Sequence, residues 1–410
     1  MVRRPCWVEI STHAFEDNYK LLAQACRARV SSALELLAIV KADAYGHGLS
    51  ICAPAAVRAG AGWIGVTSVE EGVAARQTLR GLEPAPEILT IGGVFPGQGA
   101  EVIAHRLTPV IWEPYHLDEL EAAAKATDAL PGSIPVHVEL DTGMSRQGVE
   151  LSELGALLER FRKKDESPVR IDGIMTHLYA ADERDGEATH HQLDRLENML
   201  EQVAAAGLKP RWLHVGNSAA VLLGGAPETA LASLVAIAKR HGMHAMARPG
   251  LALYGLVPEF DPPLVREELP LLDDLHKELQ PALAWKTQIA SVRSIGKDEV
   301  VGYNGTFVAT EPMHLALLPI GYADGLKRAL SNRGYVLIQG ERAPIVGRIS
   351  MDQTVVDVTD IPKASPGDEV VLLGPQGDET ISACDHANWA ETIPWEIFTS
   401  ITARVERRAV

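Results

Sequence analysis

Over the first two-thirds of the chain, short β-branched runs alternate with longer amphipathic stretches. Residues 36–41, 63–67, 87–91, 107–112, 136–140, 171–177, 212–215 and 245–248 have the length and apolar character of buried strands. Between them, residues 13–28, 68–79, 114–126, 151–162 and 187–205 carry apolar positions at helical spacing. Strand followed by helix, repeated about eight times over roughly 250 residues, predicts a (β/α)8 barrel. A doubly wound open sheet would instead place a Gly-rich phosphate loop after its first strand. Here that strand runs into Lys41-Ala-Asp-Ala-Tyr-Gly-His-Gly48, which is not such a loop.

The pattern changes after Tyr254-Gly255. Residues 257–272 are rich in proline and acidic side chains and read as a linker or crossover. From Trp285 onward, short alternating strands are expected at 287–294, 300–301, 314–319, 335–339, 354–358 and 369–373, separated by Gly-Lys-Asp, Gln-Gly-Glu and Ser-Pro-Gly-Asp turns. The fold class expected is therefore α/β, an N-terminal (β/α)8 barrel over residues 10–265. A mainly β domain follows over 266–410, with 1–9 adding a strand to it.

Composition narrows the function. The 410 residues are 46% hydrophobic and 22% charged, the balance of an ordinary globular chain. A formal net charge of -16 opposes binding to nucleic acid or anionic lipid. Arg3-Arg4 and the arginines from Arg404 to Arg408 read as solvated surface. Cys6, Cys26, Cys52 and Cys384 are scattered with no metal-ligand spacing, which suggests free thiols and no metal site. The N-terminus reaches Glu9 before any apolar run forms, and no run approaches the roughly 18–20 residues of a membrane span. A cytoplasmic protein is expected.

Several polar residues fall where predicted strands end: Lys41, Tyr45, Glu139, Asp141, Arg146, His177, His214, Asn217, Ser218 and Arg248. Each alone reads as an ordinary surface charge or a hydrogen-bonded structural residue. In a barrel, however, strand ends converge on one catalytic face. The segments AIVKADAYGHG (38–48), ELDTGMSRQG (139–148), MTHLYAADE (175–183), HVGNSAA (214–220), ARPGLALYG (247–255), VGYNGTF (301–307), LPIGYADG (318–325) and VGRISMDQ (346–353) resemble, in order, motifs of the alanine racemase family.

The resemblance implies a pyridoxal 5'-phosphate enzyme that interconverts L- and D-alanine. In it Lys41 holds the cofactor covalently and serves as acid/base on one face. Tyr303 matches the second acid/base, which in the family comes from a partner subunit, so a head-to-tail homodimer is expected. Free tyrosine, with a pKa of about 10, is a weak base that needs assistance. His177 and Arg248 resemble the assisting network, and Arg248 the group facing the pyridine nitrogen. By the same likeness Tyr45, Ser218, His214 and the backbone around Gly250 and Leu251 bind the cofactor. Arg146, Met351 and Tyr322 meet the substrate, with Arg348 and Asp352 near the entrance.

Two positions depart from the family pattern. Glu139 stands where many members have a carbamylated lysine, and pairing of Glu139 with Arg146 is expected to supply the missing negative charge. Ala403 stands where many have a tyrosine beside the substrate, which opens the way to a serine or broader-specificity racemase. A decarboxylase of the same fold is an alternative, although such enzymes pair an acid rather than an arginine with the pyridine nitrogen. So is a non-catalytic pyridoxal-phosphate-binding protein, although these lack the β domain.

Overall fold

A computed structural model describes residues 4–162, 167–183, 186–224, 229–260, 275 and 278–410. The chain divides into two compact units, one of Ala14–Ala42 and Cys52–Gln280, the other of Met1–His13, Asp43–Ile51 and Pro281–Val410. Strand β1 (Cys6–Ile10) belongs to the latter.

The first unit is a closed barrel of parallel strands: β2 (Glu35–Ile39), β3 (Trp63–Val66), β4 (Glu87–Thr90), β5 (Thr108–Ile111), β6 (Ile134–Glu139), β7 (Val169–Met175), β8 (Trp212–His214) and β9 (His244–Ala247). Closure is made by β9 on β2, with Glu35 opposite Met246 and Leu36 opposite Ala247. Strands β3 and β5 are buried along their whole length, which is why they read as unbroken apolar runs. Each strand ends one or two residues before its sequence pattern does. Lys41, His177 and Arg248 thereby fall just past the last residue of β2, β7 and β9.

The helices outside the barrel follow the apolar spacing, with Thr12–Arg29, Val69–Thr78, Pro114–Ala126, Leu151–Phe161 and Glu187–Ala205 at or within one residue of expectation. Pairing of β6 with β7 slips by one residue between Val136 and His137, so that His137 faces Gly173. Such a bulge re-aims side chains on the strand that carries it.

In the second unit the chain continues as β10 (Leu283–Gln288), β11 (Ser291–Ile295), β12 (Val300–Val301), β13 (Phe307–Val308), β14 (Met313–Leu318), β15 (Tyr335–Ile338), β16 (Glu341–Pro344), β17 (Thr354–Asp357), β18 (Glu369–Gln376), β19 (Glu379–Ile381) and β20 (Glu406–Ala409). One sheet runs β16-β15-β18-β10-β1-β20 with β19 on β18, and a smaller one runs β11-β14-β17. The single strand expected at 287–294 is two. The chain leaves the first sheet at Ile289, whose N–H donates to Asp368, and joins the second at Ala290, whose N–H donates to Leu317. Strand β1 pairs antiparallel with β10 and parallel with β20. The expected boundary between 265 and 266, and most of the expected linker, lie outside the described residues.

Arg404 and Arg408 are exposed as expected, whereas Arg4 and Arg407 need correction. Arg4 pairs with the buried carboxylate of Asp324, which Arg404 also approaches at 3.5 Å. Arg407 is half-buried and donates to the carbonyls of Gly46, Ile401, Thr402 and Val405. Arg3 lies outside the described residues. All four cysteines are free thiols. Among the described residues no helix is long and apolar enough to cross a membrane.

Candidate active site

Lys41 opens an unusual turn. Ala42, Asp43, Ala44 and Tyr45 all have positive φ, at 53°, 53°, 55° and 52°. For residues bearing a Cβ, left-handed backbone costs about 1–2 kcal/mol each, so other contacts must hold the turn. Glu71 supplies two of them from the next helix. Its Oε1 accepts from Ala42 N–H at 2.7 Å and its Oε2 from Thr67 N–H at 2.8 Å. Ser68 caps that helix by accepting from Glu71 N–H at 3.2 Å, which fixes the carboxylate's origin.

Among the described residues the Lys41 amine has no hydrogen bond or ion pair. Burial, then the guanidinium groups of Arg146 and Arg248, push its pKa below the ordinary lysine value. A largely buried, unpaired amine with a depressed pKa is a nucleophile and a base.

Arg248 anchors the polar centre. It is 4% exposed, and all four terminal N–H groups face acceptors. Nη1 donates to His214 O at 2.8 Å and faces His214 Nδ1 at 3.1 Å. Nη2 donates to Thr176 O at 2.9 Å and faces His177 Nδ1 at 3.2 Å. The fifth donor, Nε–H, has no partner among the described residues. Burial lowers the Arg248 pKa to about 10, which still leaves it charged near neutrality. Burial, followed by Arg248, Arg146 and Lys41, takes His177 down to about 3, so its ring is neutral. Gln192 braces the same loop, donating to His177 O at 2.9 Å and accepting from Tyr179 N–H at 3.0 Å.

The expected pairing of Glu139 with Arg146 is not formed. Glu139 is 2% exposed, and its Oε2 accepts from Gln147 Nε2 at 2.5 Å, while Gln147 also reaches Ile91 O at 3.3 Å. Burial raises the Glu139 pKa, and Gln147, Arg248 and Arg146 oppose that shift in this order. Arg146 therefore acts on Glu139 through space.

On the neighbouring loop Ser218 Oγ accepts from Gly250 N–H at 2.9 Å and Ala252 N–H at 3.1 Å. Asn217 caps the short helix Ser218–Leu223 by accepting from Ala220 N–H at 3.2 Å. Leu251 is buried in the turn Leu251–Tyr254 that follows. Both ring nitrogens of His214 meet protein groups, Arg248 at one side and His137 at the other.

The remaining expected residues lie in the second unit. Burial pushes the Tyr45 hydroxyl up to about 12. Tyr303, Tyr322 and Met351 are exposed, Tyr303 at 68%. Tyr303 and Arg348 border an open cavity of about 480 Å³. The loops of Tyr322 and Met351 are laced together by Tyr322 N–H to Ser350 O and Ala323 N–H to Met351 O, each at 3.0 Å. A Cβ on Gly321 would lie 2.2 Å from Ser350 O, so the lacing requires glycine there. Asp352 pairs with Arg404 at 2.7 Å, and Ala403 is exposed.

The profile of the alanine racemase N-terminal domain matches residues 10–258, and that of the C-terminal domain matches residues 282–409. This chain belongs to the alanine racemase family. It is accordingly an enzyme, an isomerase of the racemase class. It is 38% identical over 405 residues to the alanine racemase of Symbiobacterium thermophilum, covering 98% of this chain and 97% of that one. The structure of alanine racemase from D-cycloserine-producing Streptomyces lavendulae superposes with a TM-score of 0.85 at 33% identity, covering 100% of this chain and 98% of that one. That of alanine racemase from Bartonella henselae with covalently bound pyridoxal phosphate gives 0.78 at 28% identity and covers 99% of each.

The alanine racemase family depends on pyridoxal phosphate, and the donor set here fits that group. A half-buried amine and an arginine Nε–H, neither with a partner among the described residues, and the Ser218 hydroxyl all belong to the barrel unit. Glu71, Gln147, Gln192 and His137 complete the site's support and were not picked out by sequence reasoning. For Gln147 a signal existed, since it lies within ELDTGMSRQG eight residues after Glu139. The others have no local signature.

Proposed function

We propose that the chain interconverts L- and D-alanine by proton transfer on opposite faces, as a pyridoxal-phosphate-dependent cytoplasmic homodimer that supplies D-alanine. The carrying observation is Lys41, a largely buried amine without a partner among the described residues, presented by a braced left-handed turn. When bound, pyridoxal phosphate would be held covalently by Lys41 and would delocalise the charge left at Cα when its proton departs. The substrate amine would displace the Lys41 amine from that bond, and the freed Lys41 amine takes or returns the proton on its own face. Ser218, Tyr45 and the backbone at Gly250 and Leu251 are assigned to the phosphate, and Arg248 to the ring nitrogen. Ser218 Oγ accepts from Gly250 and Ala252 N–H and has its own O–H to donate to that contact. Arg146, with the backbone at Met351, receives the substrate carboxylate, and Tyr322 borders the substrate.

On the opposite face the proton is carried by Tyr303 of a second copy. The exposure of Tyr303, and the absence of any hydrogen bond to its hydroxyl among the described residues, support that assignment. His177, neutral and beside Arg248, is assigned to assist the tyrosine. A second reading, acceptance of serine or larger substrates, is favoured by the exposed Ala403.

The test is incubation of L-alanine with the purified protein in D2O. The reading expects D-alanine carrying deuterium at Cα, together with the absorbance of lysine-bound cofactor. Cofactor binding without exchange at Cα would contradict it. A panel of alanine, serine, lysine and arginine separates the two specificities.

A further inference from the structure

We infer that His137, in the barrel core, is a positioning residue that fixes the tautomer of His214 and through it the orientation of Arg248. The Arg248 guanidinium has donors only. Arg248 Nη1 lies 3.1 Å from His214 Nδ1, so that nitrogen presents its lone pair. A neutral His214 then carries its proton on Nε2, which lies 2.7 Å from His137 Nδ1. His137 accepts there and keeps its own proton on Nε2, a buried N–H with no partner among the described residues. Burial keeps both rings neutral, taking His137 down to about 3 and His214 well below its ordinary value. The direction of every proton in the row is thus set by Arg248 at one end and His137 at the other.

The barrel is built to hold that ring. The bulge between Val136 and His137 brings His137 opposite Gly173. A Cβ at residue 173 would lie 2.6 Å from both Cε1 and Nδ1 of the imidazole, so any larger residue displaces it. Trp63 packs beside the same ring, with ring centroids 5.4 Å apart. Without an acceptor at position 137, the His214 Nε2–H is stranded. The ring can relieve this by moving its proton to Nδ1, where it meets the Arg248 N–H head on. The guanidinium must then turn, and its contact with His177 turns with it.

The placement of protons stands on the geometry alone. Its kinetic consequence rests on the racemase reading, and the two are measured separately. Histidine-selective 15N labelling with long-range 1H–15N correlation reads the tautomer of His214 in the holoenzyme, assigned by loss of its signals in His214→Asn. The unaltered protein is expected to show a protonated Nε2 and an unprotonated Nδ1. A protonated Nδ1 overturns the inference, whatever the variants do. His137→Asn keeps an acceptor near the Nδ1 position, whereas His137→Phe keeps the ring volume and removes it. His137→Phe is expected to shift His214 toward the Nδ1–H form and to lower kcat roughly tenfold with little change in KM. His137→Asn should keep the tautomer and recover most of kcat. Equal damage in the two variants with an unchanged His214 spectrum would reduce His137 to packing. Should His137→Phe not fold, the spectra of the unaltered protein and of His137→Asn decide.

Discussion

The buried carboxylate of Glu139 is held by the amide of Gln147, not by the guanidinium of Arg146 next to it in sequence. A neutral donor relieves less of the burial penalty than a cation in contact would, and the Glu139 pKa accordingly stays raised. Because the folded state prefers the protonated acid, this group's contribution is fully present below the unfolded value of about 4.5 and is lost as pH rises through the folded value. Glu139→Gln cannot ionise, so its melting temperature relative to the unaltered protein should rise with pH between those two values and level off above them. Calorimetry across the range checks it, and a difference that falls with pH would contradict the raised pKa.

Gln147→Leu keeps the carboxylate and removes its donor. It should destabilise the protein by about 1–3 kcal/mol, the usual penalty for an unsatisfied buried acceptor. The double variant Glu139→Leu with Gln147→Leu should recover part of that loss, which a thermodynamic cycle measures directly.

His47, His116, His137, His177, His214 and His386 are all held below the ordinary histidine value by burial. For a base with a depressed folded pKa, the stability is present above the unfolded value and is lost as pH falls toward the folded one. Each such histidine contributes a slope of up to about 1.4 kcal/mol per pH unit in that window. Stability should therefore fall steeply from about pH 6.5 toward pH 4, with net proton uptake on unfolding. Chemical denaturation at stepped pH reads the slope, and a flat profile would show that these rings titrate freely in the folded protein.

Glu71→Gln retains one acceptor where Ala42 and Thr67 need two. The left-handed turn should loosen, with a stability loss of about 1–2 kcal/mol and weaker retention of cofactor on dialysis. Unchanged cofactor retention would mean that the turn is held without Glu71.

How much of this was legible in the sequence depended on whether the cause was local. The eight barrel strands were readable because burial on both faces leaves long apolar runs, and Lys41 because its motif is long. The handedness of the turn after Lys41 was not, since Lys-Ala-Asp-Ala-Tyr contains no glycine to announce positive φ. Nor was His137, an inward histidine between two valines whose direction comes from a bulge against β7. Gln147 was overlooked because the adjacent Arg146 carried the more obvious charge for Glu139, and only the fold shows which side chain reaches it. The strand expected at 287–294 broke because its neighbours change, and a strand's own residues do not name their partners.

The central claim is that two different groups serve the two faces of Cα. The most direct measurement is 1H NMR of alanine in D2O with Tyr303→Phe, following deuterium at Cα separately in the L and D forms. Lys41 is intact in that variant, so exchange should persist in one enantiomer while inversion falls by about 10²–10⁴-fold. Inversion by Tyr303→Phe at the rate of the unaltered enzyme would contradict the account.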